Sequence, residues 1–329
     1  MRVRRNKQER ERDQKTFLSS QVGWGEEKRE EEGDQLTLVG EDSAAFSLSS
    51  QSLSEWSTFT VATSFVLYLV SYVWFLPSGP HIGDAYLHSV QSIVGQDPAS
   101  TIAAMLLFFA VTHSGLASLR PLSESLIGPR AHRVIFALVS LPLSLSAISY
   151  FINHAHDGHQ LWDLHHLPLF HSLVFLTDFL SFLLLYPATF NLLEISAVQS
   201  PKLHLYDTGV MRITRHPQSV GQVMWCFAHA AWIGTDVVVS ASLILIAHHM
   251  FSVWNGDRRL QDRYGESFLE VKARTSVVPF LAILEGRQVL PEGYWREWAR
   301  APYLAVVMGT TAAYVAHPWM MAGASLLGW

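Results

Sequence analysis

"GQVMWCFAHAAWIGTDVVVSASLILIAHHMF", residues 221 to 251, divides into two apolar stretches joined by a tight "GTD" turn. Hydrocarbon offers backbone groups no partner but one another, so a chain that enters it does so as helix, about 20 apolar residues per crossing. The stretches run from Gln218 to Gly234 and from Asp236 to Trp254. Both are short, and the turn between them makes a helical hairpin. Inside it lie residues that hydrocarbon tolerates poorly: Cys226, His229 three positions later, and the pair His248 and His249.

Working outward, five further stretches qualify: Ser57 to Leu76, Ala99 to Leu119, His132 to Ile152, Leu167 to Ile195 and Pro302 to about Leu327. The one holding Pro187 is long enough to kink or to continue beyond the bilayer. The expected fold is all-α: a polytopic membrane helix bundle of about seven transmembrane helices. Composition agrees, since 49% of the 329 residues are hydrophobic, 16% are charged and tryptophan occurs eleven times. Basic residues test the layout independently, because Lys and Arg in short loops collect on the non-translocated side. All fourteen beyond residue 55 fall in or beside the loops after the second, fourth and sixth stretches. A wrong count upstream would scramble that pattern.

Residues 1 to 55 hold nine of the 23 Lys and Arg and twelve of the 28 Asp and Glu. Runs such as "RRNKQERERDQK" and "EEKREEE" carry no apolar stripe. Residues 1–37 are therefore expected as a disordered charged tail, 38–56 as a short amphipathic lead-in and 57–329 as the membrane bundle. The tail is too acidic for a plastid transit peptide and lacks the apolar core of a secretory signal. With Cys226 the only cysteine, no intramolecular disulfide forms. At a formal net charge of −5, no nucleic-acid partner is expected.

Sixteen histidines is a high count. Seven of them, including those of "NHAHDGHQLWDLHH", lie in or beside loops without Lys or Arg, where a wet interfacial loop accounts for them more simply than zinc. His113, His229, His248, His249 and His317 fall within the spans. The bland account of each is a neutral imidazole bonded to a neighbouring helix. His113, in "AVTHSGLAS", has small neighbours that leave room for a large planar partner. His229 is flanked by alanines and has Cys226 three positions before it, so thiol and imidazole project from nearly the same face. His248 and His249 rank behind these as supporting groups. Two embedded imidazoles with a soft sulfur beside one of them suit a haem iron better than zinc or magnesium.

A competing signal is "GVMRITRHPQSVGQ" followed by "NGDRRLQDRYGESFLEVKARTSVVP". These resemble the isoprenylcysteine carboxyl methyltransferase class, which holds S-adenosylmethionine at the membrane face; on that reading His216 binds the cofactor. The paired glutamates of that class are replaced by "DRRLQD", and the tyrosine after RHP by serine. The bland account of these arginines is anchoring beside lipid headgroups.

From "LVGEDSAAF" through "THSGLASLR", "YFINH", "YPATFNLLE", "MRITRHPQSVGQVMWCFAH", "WNGDRR" and "RTSVVPF" to "AHP", the chain resembles the NnrU-type integral membrane isomerases of plants and algae, the 15-cis-zeta-carotene isomerase family. The resemblance runs from about residue 38 to 318 and implies several things. The activity is isomerisation of the central double bond of 9,15,9'-tri-cis-zeta-carotene to the 9,9'-di-cis product in a plastid membrane. The cofactor is haem b, with His113 and His229 as iron ligands and Cys226 as the alternative ligand. The implied partners are the zeta-carotene substrate, membrane lipid, an electron donor and neighbouring carotenoid desaturases. A carotene has no polar handle for side-chain acid–base chemistry, so the difficult step falls to a cofactor.

Overall fold

The computed structural model describes residues 52–189, 209–299 and 301–325. The charged tail, most of the lead-in and the expected reach of the fourth stretch to Ile195 lie outside the described residues. Twelve helices are described: α1 Leu53–Val70, running into a π-helical turn at Ser71–Phe75; α2 Ile82–Val94; α3 Pro98–Ser118; α4 Arg120–Ile127; α5 Pro129–His154; α6 Phe170–Thr189; α7 Pro217–Ile233; α8 Asp236–Tyr264; α9 Glu266–Arg274; α10 Leu281–Leu284; α11 Trp295–Trp298; and α12 Ala301–Ser325.

Local chemistry sets their ends. Asp97 caps α3 by accepting from the Ser100 N–H, with Pro98 in the first turn, where a missing N–H is harmless. Pro217 opens α7 in the same way, and Gly234 closes it at φ 72, a left-handed conformation that glycine adopts without strain. The hydroxyl of Thr235 then caps α8 by accepting from Val238. The "GTD" hairpin is thus a helix stop followed at once by a helix start.

Six helices close a ring: α3 packs on α5, α5 on α12, α12 on α6, α6 on α7, α7 on α8, and α8 back on α3. α1 lies against α5, and α2 against α3. Ile102 of α3 and Val237 of α8 share one buried cluster with Tyr150 of α5. Farther along, the rings of His113 and His248 meet, so α3 and α8 run parallel. Phe136 of α5 meets His113, so α5 is antiparallel to both, as is α7 through the hairpin. The C-terminal ends of α3 and α8 and the N-terminal ends of α5 and α7 therefore lie together. These ends carry Arg120, Arg130, Arg133, Arg215, Arg258 and Arg259, which places these expected basic-side residues at one end.

α6 and α7 approach most closely at Gly221, where a Cβ would lie 2.5 Å from the Ser181 carbonyl oxygen and 3.0 Å from the Leu185 nitrogen. Large apolar side chains such as Leu107, Val111, Leu243, Met250, Met308 and Val315 face outward. Four helices are long and apolar enough to cross a membrane: Leu53–Phe75, Pro98–Ser118, Pro129–His154 and Asp236–Asp262. The other expected crossings are weaker for stated reasons. The described apolar part of α6 is Phe170–Leu185, α7 has 17 residues, and α12, though 25 residues long, is diluted by Thr, Gly, His and Pro.

Candidate functional site

His113 sits on α3 with its ring 5.1 Å from Phe109 and 4.8 Å from Phe136. The His248 ring of α8 stands edge-on to it at 6.0 Å. Its Nδ1 is buried and has no hydrogen-bond partner among the described residues. A polar nitrogen left open in apolar surroundings is the kind of exception that calls for a ligand.

On α7, Cys226 is fully buried, and Ser242 of α8 donates to its carbonyl oxygen at 3.3 Å. Gln222 Nε2 lies 3.7 Å from the Cys226 sulfur. His229 stacks on Trp225 at 3.9 Å, with Nδ1 3.2 Å from the Trp225 carbonyl and 3.4 Å from the Asp178 carboxylate of α6. The Trp225 ring also reaches Phe151 of α5 at 6.0 Å, so α5 supplies an aromatic side chain near each imidazole.

His113 and His248 are brought together; His113 and His229 make no direct ring contact among the described residues. The Ser242–Cys226 bond sets His229 level with about residue 239 of α8, nine residues from His248, or about 13 Å of rise. Side chains lean toward the N-terminus of their helix. Each of the two imidazoles accordingly packs on the ring four residues before it, His113 on Phe109 and His229 on Trp225. Because α3 and α7 are antiparallel, the two lean toward each other across that interval. His249 adjoins His248 at 5.7 Å.

Among the described residues, no three of His, Cys, Asp or Glu converge as a bare metal ion requires. The loop histidines have local partners: His154 pairs with Asp157 and His165 with Asp163, both at 2.6 Å. The loop is strapped over the hairpin turn by His159 N–H to Asp236 and Trp162 Nε1–H to the Ala230 carbonyl.

The RHP motif sits at the basic end and is occupied. Arg215 grips Asp257 of α8 through Nε at 3.1 Å and Nη2 at 2.8 Å, and its Nη1 donates to the Thr275 carbonyl. His216 Nε2 lies 2.7 Å from the same Asp257, and Lys272 Nζ 3.5 Å. The backbone joins in, with Arg215 N–H to the Ser276 carbonyl and Phe280 N–H to that of Ile213. A neighbouring clasp ties Arg212 and the Gly209 N–H to Glu297, while Tyr294 donates to the Gly209 carbonyl. His216, expected as a cofactor ligand, is buried and lies against Asp257 in this clasp.

The profile described as "NnrU protein" matches residues 101–324. The chain belongs to the NnrU family. Its match takes in His113, Cys226, His229, His248 and both clasps. The chain is also 53% identical over 298 residues to the chloroplastic 15-cis-zeta-carotene isomerase of Arabidopsis thaliana, covering 91% of this chain and 81% of that one. It is 50% identical over 316 residues to the Zea mays protein of the same name, covering 94% and 86%. No solved structure matches. In this NnrU protein the sequence reading missed Asp178, Trp225 and Phe136. An aspartate in "FLTDFLS" was the available signal for the first, because an acid at that depth needs a partner. The two aromatics are indistinguishable in sequence from ordinary packing residues.

Proposed function

We propose that the protein is a 15-cis-zeta-carotene isomerase of a plastid membrane, converting 9,15,9'-tri-cis-zeta-carotene to the 9,9'-di-cis isomer. The observation that carries the reading is the 53% identity over 91% of the chain to a relative of that name. Crossings at α6, α7 and α12, beside the four longer helices, make the seven that the distribution of Lys and Arg in the sequence supports.

The cofactor is haem b. His113, with its unclaimed buried nitrogen, and His229, whose Nδ1 faces two oxygen acceptors, would hold the iron, and Cys226 on the same helix as His229 would be the alternative donor. When bound, the iron supplies a means of transiently lowering the order of the central double bond. The remaining work belongs to the chain. Phe109, Phe136, Phe151 and Trp225 offer apolar ring faces to a rigid polyene and keep water away. Imidazole and thiolate differ in softness, so the preferred ligand set, and with it activity, follows oxidation state. An electron donor is then required, and the neighbouring carotenoid desaturases are the natural source and destination of substrate and product.

The test is a redox-controlled assay of purified protein with the tri-cis substrate, with absorption spectra in both oxidation states. Conversion confined to the reduced, haem-containing protein is expected. Colourless protein from haem-replete cells that still isomerises would overturn the cofactor assignment, and coloured protein without conversion the substrate assignment.

A further inference from the structure

Asp178 is an acidic residue inside an apolar helix. It lies in α6 within "FHSLVFLTDFLSFLLL", and its Oδ1 is buried with no hydrogen bond among the described residues. The cationic or proton-bearing group closest to it on the facing helix is His229, whose Nδ1 stands 3.4 Å from that oxygen. The Trp225 carbonyl approaches the same nitrogen at 3.2 Å. Both neighbours are acceptors, so Nδ1 is the ring position that carries the hydrogen. The lone pair is thereby left on Nε2. Gly221 lets the backbones of α6 and α7 come close enough for the pairing.

We propose that Asp178 is the positioning residue for His229: it fixes the tautomer and the ring orientation so that Nε2 is presented as a metal donor. A carboxylate behind a ligating histidine is a general device for this purpose. The proposal rests on the haem reading above and extends it to a residue on a third helix. It also accounts for the acid itself, whose buried Oδ1 otherwise has no hydrogen bond among the described residues.

The experiment uses full-length protein from haem-replete cells as wild type, Asp178→Asn, Asp178→Leu, His229→Ala and the Asp178→Leu/His229→Ala double variant. Haem per protein, haem affinity and spectra of both oxidation states are recorded. Asp178→Leu is expected to bind haem about 10–100-fold more weakly. Asp178→Asn, which keeps an acceptor oxygen of similar shape, retains haem with a displaced Soret band. On the His229→Ala background the leucine substitution adds no further loss, because the group it acts through is gone. Wild-type affinity and spectra in Asp178→Leu, or a full additional loss in the double variant, overturn the proposal. If Asp178→Leu fails to fold, Asp178→Asn decides: a spectrum identical to wild type rejects the assignment. Wild-type protein without haem removes both this proposal and its parent reading, whereas haem-loaded wild type with unmoved Asp178 variants removes this one alone.

Discussion

Two histidine-bearing regions of the bundle are built on opposite principles. At the basic end, His216 shares Asp257 with Arg215 and Lys272, and Arg215 Nη1 donates to the Thr275 carbonyl. Deeper in, His113 keeps a buried nitrogen with no hydrogen-bond partner among the described residues, and His229 rests its Nδ1 against acceptors. A network whose donors are engaged fixes helix ends and has little left to offer a ligand. A nitrogen left open inside an apolar bundle is tolerated where something is to fill it. The two motifs differ accordingly: the RHP stretch that resembles a methyltransferase grip ties α7 to α8 and the 275–280 segment, while the histidine in "AVTHSGLAS" has a buried nitrogen without a hydrogen bond among the described residues.

The largest effect that tests the contrast is on activity. His113→Ala and His229→Ala are each expected to abolish conversion of tri-cis-zeta-carotene, read by pigment chromatography. His229→Ala removes the imidazole beside Asp178 and should lower the detergent-solubilised melting temperature; in His113→Ala that temperature should change little once variants are compared without cofactor, since the His113 Nδ1 holds no hydrogen bond among the described residues. Asp257→Ala should do the reverse. Removing one member of a buried ion cluster strands the others, which costs about 3–5 kcal/mol, read as a loss of folded protein or a large fall in melting temperature. An Asp257→Ala protein as stable as wild type, with S-adenosylmethionine bound by the wild type and lost on His216→Ala, would break the contrast outright. Gly221→Val comes next: its side chain meets α6 backbone that has no slack, and overpacking of this kind costs about 1–3 kcal/mol. Because α6 carries Asp178, this variant should also weaken haem binding before it unfolds.

Much of this was legible in the sequence, and the parts that were not share a cause. The hairpin followed from "GTD" because a glycine stop and a Thr cap are local signals. The basic end followed because arginines at helix ends are counted rather than folded. Crossing lengths were harder: α7 has 17 residues, and α12 is mixed in composition. His113, Cys226 and His229 stood out as polar residues in apolar runs. Their companions did not, because pairing is a property of neighbouring helices. Nothing in the sequence joins Asp178 to His229, or His113 to His248, until α6 meets α7 and α3 meets α8. The pairing of His216 with Asp257, 41 positions away, was hidden for the same reason.

The smallest expected effect concerns the far end of α3. Asp97 accepts from both the N–H and the hydroxyl of Ser100, and these bonds hold its carboxyl below the usual range. Asp97→Ala should cost about 1 kcal/mol, the ordinary worth of such a cap. The sign with pH follows: a carboxyl whose folded pKa is depressed stabilises fully above its unfolded pKa, and the contribution fades as pH falls through the folded value. Melting temperatures of wild type and Asp97→Ala should therefore converge in acid and differ most near neutrality. Activity should be untouched, since His113 is placed by the packing of Phe109 and Phe136 against α3, α5 and α8 rather than by the helix start. A loss of activity in Asp97→Ala as large as in His113→Ala would mean that the helix end, not the side-by-side packing of the ring, sets the position of the imidazole.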